Sequence, residues 1–191
     1  GKLKVSSNLD GLFLVDVLVD FTLPEAVDMH LDYVAKYKKA LVLGTTGLTD
    51  AQRSKVEEIA KLVPIVFSPN MSVGVNVLFS QLSEIARKLG SDYSVEIVEA
   101  HHKAKKDAPS GTAKKLAEVI AQVTQKNIPI HSIRLGDIFG DHLVVFCGNS
   151  ERIEIKHQAH SRDLFVVGAL KAVKWIFGKP AGLYSMQDVL K

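Results

Sequence analysis

Three short apolar runs, spaced by amphipathic helix patterns, constrain this chain more than any other feature. Val15–Phe21, Ala40–Leu43 and Pro64–Phe67 read as buried strands. The first helix pattern runs from Pro24 to about Tyr37, with Ala26, Val27, Leu31, Val34 and Ala35 on one face. Pro24 suits a first helical turn, and Thr22 is the expected cap. Thr49 or Asp50 caps the second helix, which carries Val56, Ile59, Ala60 and Val63. Continuous apolar strands that alternate with helices of this length specify a parallel α/β sheet. Ligands bind such sheets beyond the carboxyl ends of the strands. Those ends are Phe21-Thr22, Gly44-Thr45-Thr46 and Ser68-Pro69-Asn70-Met71.

The pattern changes after a helix over about Val75 to Leu89, closed by Gly90. Ser94–Ala100, Ile130–Leu135, Leu143–Cys147 and Arg152–His157 read as strands, with Gly140-Asp141 and Gly148-Asn149 as turns. A helix following Pro109-Ser110-Gly111-Thr112 presents Ala113, Leu116, Ala117, Ile120 and Val123 on one face. Arg162–Phe177 returns to helix, and Gly182–Lys191 reads as a short terminal helix. Two domains are expected. Residues 1–71 with 163–191 form a Rossmann-like parallel sheet domain, and residues 72–162 form an α+β domain with a mixed open sheet.

Composition narrows the function classes. The chain has 191 residues, 47% of them hydrophobic and 24% charged, which is ordinary for a globular protein. The longest apolar candidate, Leu12–Phe21, is broken by Asp16 and Asp20 and falls short of the roughly 18 residues of a membrane helix. No secretory leader pattern follows Gly1. The lone Cys147 cannot form an internal disulfide, so a cytoplasmic setting is expected. Its place in the run Val144–Cys147 reads as a buried, inert thiol. A net charge of +3 is too mild for a nucleic-acid binder.

Chemistry-bearing residues concentrate between Glu99 and Thr112, in the segment Glu-Ala-His-His-Lys-Ala-Lys-Lys-Asp-Ala-Pro-Ser-Gly-Thr. Pro109-Ser110-Gly111-Thr112 opens a helix, where unpaired backbone N–H groups and a partial positive charge attract anions. Gly111 allows close approach, and Thr112 adds a hydroxyl. Lys105 or Lys106 can neutralise a second anionic group. His101 and His102 have the ordinary pKa best matched to proton transfer near neutrality, and neighbouring lysines favour the neutral ring. Together these parts suit a small dianionic substrate that needs a proton moved. Adjacent histidines on a strand point to opposite faces, and no Cys or carboxylate set completes a metal site, so no metal is expected.

At this point the sequence resembles the dihydrodipicolinate reductase family. The Glu99–Thr112 segment matches the family signature nearly throughout. Val19-Asp20-Phe21-Thr22 with Pro24-Glu25-Ala26, Gly44–Gly47 and Pro69–Asn76 match earlier family segments; Gly136-Asp137-Ile138, Gly140-Asp141-His142, Ser161-Arg162 and Gly182–Val189 match later ones. The resemblance implies reduction of a cyclic hydroxy-tetrahydrodipicolinate to tetrahydrodipicolinate with NADH or NADPH, in lysine and diaminopimelate biosynthesis. It implies His101 and Lys105 as the catalytic pair, with His102, Gly111 and Thr112 on the substrate. It places Gly44, Thr45, Thr46, Ser68, Pro69, Asn70 and Met71 at the cofactor. It also implies a homotetramer formed through the strand-rich domain. Ile153 and Ile155, alternating with charges, are expected on its open sheet face.

One feature departs from the family. A dinucleotide-binding domain opens with a strand, a Gly-rich turn and a helix, and no G-x-G-x-x-G occurs here. Gly1–Val5 resembles the family's second strand, and a first βα unit of about 25–30 residues is missing. The expectation is that the chain is an N-terminally incomplete form of a longer protein, and that in this short form it binds NAD(P)H weakly or not at all. The NADH/NADPH selector is expected near Ser6-Ser7-Asn8, where no residue decides between them. Three rival readings stand beside the main one. The chain is a truncated, non-catalytic member that binds dicarboxylates or serves assembly; or a semialdehyde or homoserine dehydrogenase relative, against which Cys147 lacks a nucleophile motif; or a nucleic-acid module, against which His101–Lys106 has no interleaved aromatics.

Overall fold

The computed structural model of the protein describes residue 9 and residues 11–191. The expected strand at Gly1–Val5 and the selector position at Ser6–Asn8 lie outside the described residues. The chain divides into two compact units, one up to Pro69 together with Ala169–Lys191, the other Asn70–Gly168.

The first unit begins with β1 (Val17–Asp20), α1 (Pro24–Tyr37), β2 (Ala40–Leu43), α2 (Asp50–Ala60) and β3 (Pro64–Phe67). Pro24 takes the first turn of α1, but Leu23, not Thr22, holds the N-cap position and makes no side-chain cap bond. The Thr22 hydroxyl donates instead to Asp20 Oδ1 at 2.7 Å. Thr49 caps α2 in a reciprocal box with Gln52. Val27, Leu31 and Val34 of α1, Val56 and Ile59 of α2, and Leu41, Leu43 and Ile65 of the strands form one buried cluster. Each large aliphatic side chain removed from water there contributes roughly 1.5–3 kcal/mol.

The second unit runs α3 (Val73–Leu89), β4 (Ser94–His101), α4 (Gly111–Thr124), β5 (Ile130–Arg134), β6 (Asp141–Cys147) and β7 (Arg152–Gln158), entering α5 (Asp163–Ile176). The sheet order is β5-β4-β6-β7, with β4–β5 parallel and the other pairs antiparallel. Leu82 and Ala86 of α3, with Ala113, Leu116 and Ile120 of α4, pack on Val95, Ile97, Val144 and Phe146. Alternation therefore puts Glu99, His101 and His142 on this helix-covered face, since Glu99 pairs with His142 across the ladder. Within α5, Gly168 leaves no room for a side chain, because a Cβ would stand 1.6 Å from the Met71 carbonyl oxygen.

Pairing settles two expectations differently. Ile153 and Ile155 oppose Phe146 and Val144, so they share the helix-covered face; Arg152, Glu154, Lys156 and Gln158 take the other. Cys147 is exposed rather than buried. It ends β6 opposite Ser94 and Arg152 on the open face, where Leu143 and Val145 precede it.

The chain then returns to the first unit. Gly182–Tyr184 is a strand, β8, not the start of a terminal helix, and only Met186–Val189 is helical, as α6. β8 pairs in parallel with β3, giving a four-stranded parallel sheet in the order β1-β2-β3-β8. The architecture is thus a Rossmann-like parallel sheet with helices, joined to a mixed-sheet unit.

Candidate active site

In the first unit the carboxyl ends of the parallel strands are organised by one buried carboxylate. Asp20, 2% exposed, ends β1. Its Oδ1 accepts from Thr22 N at 2.9 Å and Thr45 Oγ1 at 2.9 Å, and its Oδ2 lies 2.7 Å from His30 Nδ1. Burial pushes the Asp20 carboxyl up, but the Thr22, His30 and Thr45 bonds outweigh it and hold it below its ordinary value. The Thr45 hydroxyl is therefore engaged in tying β1 to β2. Gly44 is buried, and a Cβ there would meet the half-exposed Phe21 ring at 2.4 Å. Thr46 and Gly47 are exposed beside it, and Ser68 is buried, its N–H donating to the Leu43 carbonyl. A separate surface groove of about 450 Å³ lies at Asp16, Val17, Val173, Lys174 and Phe177 and carries none of the expected site residues.

The second unit gathers most of the expected substrate residues. β4 ends at His101, which is 8% exposed, and His102 follows it, half-buried. The loop after it holds Lys105, whose Nζ pairs with Asp107 Oδ1 at 2.8 Å. Lys106 is exposed. α4 then starts at Gly111, with Ser110 as N-cap: its Oγ accepts from Ala113 N at 3.2 Å. The amides of Gly111 and Thr112 have no carbonyl within the helix to receive them. Open space lies over Gly111, where an added Cβ would meet nothing within 4 Å. Asn70 Nδ2 donates to Thr112 Oγ1 at 3.1 Å, and Met71 is buried. His101, Thr112, Asn70, Gly140, His142 and His157 line a cavity of about 50 Å³.

Several members of this cluster carried no role in the sequence reading. Glu99 is fully buried, and both its oxygens accept from the Arg134 guanidinium, at 2.8 and 2.9 Å. Burial pushes its carboxyl up, but the bonds from Arg134, Ser132 and His101 outweigh this and hold it at about 2. A signal for this existed: Val95, Ile97, Glu99 and His101 alternate onto the buried face, and a buried carboxylate demands a cation. His101 is held below its ordinary value by burial, against the Glu99 bond, with Lys105 and Arg134 adding to the lowering. His142 stands edge-on to His101, ring centroids 5.3 Å apart, and its Nε2 lies 3.3 Å from Ser110 Oγ. Its Nδ1 and that of His157 have no hydrogen-bond partner among the described residues.

These groups give acid stability a defined shape. Burial, then the His101 and His157 charges, pushes the His142 ring from 6.5 down to about 4. Between those values the unfolded chain holds a proton that the folded chain does not. Stability is therefore complete above about pH 6.5 and falls toward pH 4 by of order 3 kcal/mol. Glu99, held at about 2 against an ordinary 4.5, adds a second loss below about pH 4.5. Urea midpoints followed from neutral pH to about pH 4 check this, and His142→Asn should flatten the upper stage. A midpoint constant over that range would count against the buried, neutral His142.

A Rossmann-like parallel sheet joined to a unit that sets a titratable ring beside an open helix start is the plan of a two-domain α/β oxidoreductase. Family models for the N-terminus and the C-terminus of dihydrodipicolinate reductase match residues 2–71 and 74–190. The chain belongs to the dihydrodipicolinate reductase family. It is 47% identical over 195 residues to the 4-hydroxy-tetrahydrodipicolinate reductase of Geotalea uraniireducens, covering 92% of this chain and 73% of that protein. With the reductase of the same name from Syntrophotalea carbinolica it shares 44% identity over 207 residues, 97% of this chain and 78% of the relative. The solved structure of a dipicolinate-bound dihydrodipicolinate reductase from Paenisporosarcina sp. TG-14 superimposes with a TM-score of 0.82 at 27% identity, covering 96% of this chain and 80% of that one.

Proposed function

We propose that this chain reduces 4-hydroxy-tetrahydrodipicolinate to tetrahydrodipicolinate with NADH or NADPH, a step of lysine and diaminopimelate biosynthesis. The observation that carries the reading is the grouping of His101, Thr112 and the open Gly111 helix start within one unit of a chain of this family. In this reading the parallel-sheet domain, residues 1–71 with 163–191, serves the cofactor, and residues 72–162 serve the substrate and assembly.

The loops at the parallel-sheet carboxyl ends fit a flat cofactor ring. The half-exposed Phe21 ring lies against Gly44, and exposed Thr46 and Gly47 adjoin it. Gly44, Thr45, Thr46, Ser68, Pro69, Asn70 and Met71 would hold the nicotinamide half. When bound, the cofactor supplies the hydride, and the substrate loses water. The Gly111 and Thr112 amides and the Thr112 hydroxyl grip one carboxylate of the substrate, and His102 contacts it as well. His101 and Lys105 supply proton transfer and positive charge as negative charge develops on the ring.

A homotetramer is part of the same proposal. Val98, Ile133, Leu143 and Val145 lie on the uncovered face of the mixed sheet, where they leave apolar surface for another copy. A cytoplasmic setting is supported by the single cysteine. The test is calorimetric titration with dipicolinate, joined to NADH and NADPH oxidation with freshly made substrate. Dipicolinate binding and substrate-dependent oxidation are expected. Binding without turnover by the whole natural protein would instead favour a non-catalytic, dicarboxylate-binding member. A preparation that sediments as a monomer would remove the tetramer.

A further inference from the structure

The two ring nitrogens of His101 have different surroundings. Nδ1 lies 2.5 Å from Glu99 Oε2. An ionised carboxylate only accepts, so Nδ1 must carry a proton in both charge states of the ring. The ionised form of Glu99 is secured on every side. Oε2 also receives Arg134 Nη1 at 2.9 Å, and Oε1 receives Arg134 Nη2 at 2.8 Å and Ser110 N at 3.3 Å. His101 Nε2 points elsewhere: a Cβ on Gly140 would stand 3.0 Å from it, and the ring lines the cavity shared with Thr112. Gly140 thus leaves the space that Nε2 needs.

We propose that Glu99 is a positioning residue that fixes the tautomer and orientation of His101, so that Nε2 alone exchanges protons with a ligand, while Arg134 clamps the carboxylate. The proposal deepens the function above and rests on His101 being its proton-handling group. With Nδ1 committed, the neutral ring is an acceptor at Nε2 and the charged ring a donor at the same atom. The other groups that face His101 are Arg134 from β5, His142 from β6 and Lys105 from the loop, with His157 behind His142. The cations among them oppose the imidazolium, and Glu99 supplies the opposing negative charge.

A neutral amide cannot reproduce the arrangement. Each Glu99 oxygen accepts from at least two donors. In Glu99→Gln one of those positions becomes an NH₂ group facing two donors. Set toward His101, the NH₂ donates to Nδ1 and forces the proton to Nε2; set toward Ser110, it opposes the Ser110 amide and Arg134. The substitution therefore shifts the tautomer or loosens the clamp, and it removes the charge that supports the imidazolium.

The experiment is ¹H–¹⁵N correlation spectroscopy of the histidine rings, joined to the pH profile of turnover. In the unaltered protein, His101 should show the Nδ1–H tautomer near neutral pH. Glu99→Gln should populate Nε2–H, move the His101 midpoint to lower pH and cut kcat by about 10²–10⁴-fold with a smaller change in KM. Glu99→Asp keeps the charge and should retain the Nδ1–H tautomer and part of the rate. An Nε2–H ring in the unaltered protein overturns the proposal, and needs no variant to fold. An unmoved tautomer and pH profile in Glu99→Gln overturn it as well. A tautomer that moves while turnover stays constant upholds the positioning by Glu99 and instead removes His101 from the reaction.

Discussion

Arg134→Met is expected to lower the stability of the mixed-sheet unit by about 3–5 kcal/mol, the usual result of stranding a buried charge. Glu99 is fully buried, and Arg134 donates to both its oxygens. Without the guanidinium, the carboxylate keeps only His101, Ser110 and Ser132, and burial favours its protonated form. Arg134 also donates to the Asp107 carbonyl at 2.6 Å, so its loss loosens the loop in which Asp107 holds Lys105. Urea unfolding reads the effect as a lower midpoint with an unchanged slope. Most of the cost comes from the uncompensated carboxylate, so adding Glu99→Gln to Arg134→Met should recover part of it, a coupling that a double-mutant cycle isolates. A loss below about 1 kcal/mol would place this pair among ordinary surface ion pairs.

The limits of sequence reading are visible in particular residues. Ala40–Leu43 and Pro64–Phe67 were legible because strands buried on both faces are continuously apolar. Gly182–Tyr184 was not, because three residues carry no periodicity; β8 exists only through its pairing with β3. The run Leu143–Cys147 reads as uniformly apolar, which hid that Val144 and Phe146 face the helices while Cys147 faces outward. Ile153 and Ile155 alternate cleanly, yet alternation does not say which face is covered; only register against β6 assigns it. The Glu99–Thr112 block was legible as chemistry because its parts are contiguous. Arg134 lies 35 positions from Glu99 and meets it only when β4 and β5 pair. The resemblance sets Thr45 at the cofactor, but it carries no sign that the Thr45 hydroxyl is bound to Asp20, 25 positions away and on the neighbouring strand.

His101→Ala and Lys105→Ala should each reduce kcat by about 10²–10⁴-fold, the range expected for removing a positioned proton-transfer group. The two losses should differ in character. His101 meets the cavity through one nitrogen, so its removal should leave dipicolinate affinity nearly intact and abolish one limb of the pH profile. Lys105 carries a full positive charge on a half-buried side chain whose present partner is Asp107 at 2.8 Å. A dianionic ligand would draw it from Asp107, so Lys105→Ala should weaken dipicolinate binding as well as turnover. Folding is not the obstacle in either variant. Glu99 keeps Arg134 and Ser110 when the His101 ring is removed, and Asp107 is exposed enough to be solvated when Lys105 is removed. Turnover unchanged in both variants would dismiss the proposed pair. Loss of turnover in Lys105→Ala alone would make the charge at Lys105 the chemical requirement and leave the Glu99–His101 unit a structural feature of the mixed sheet.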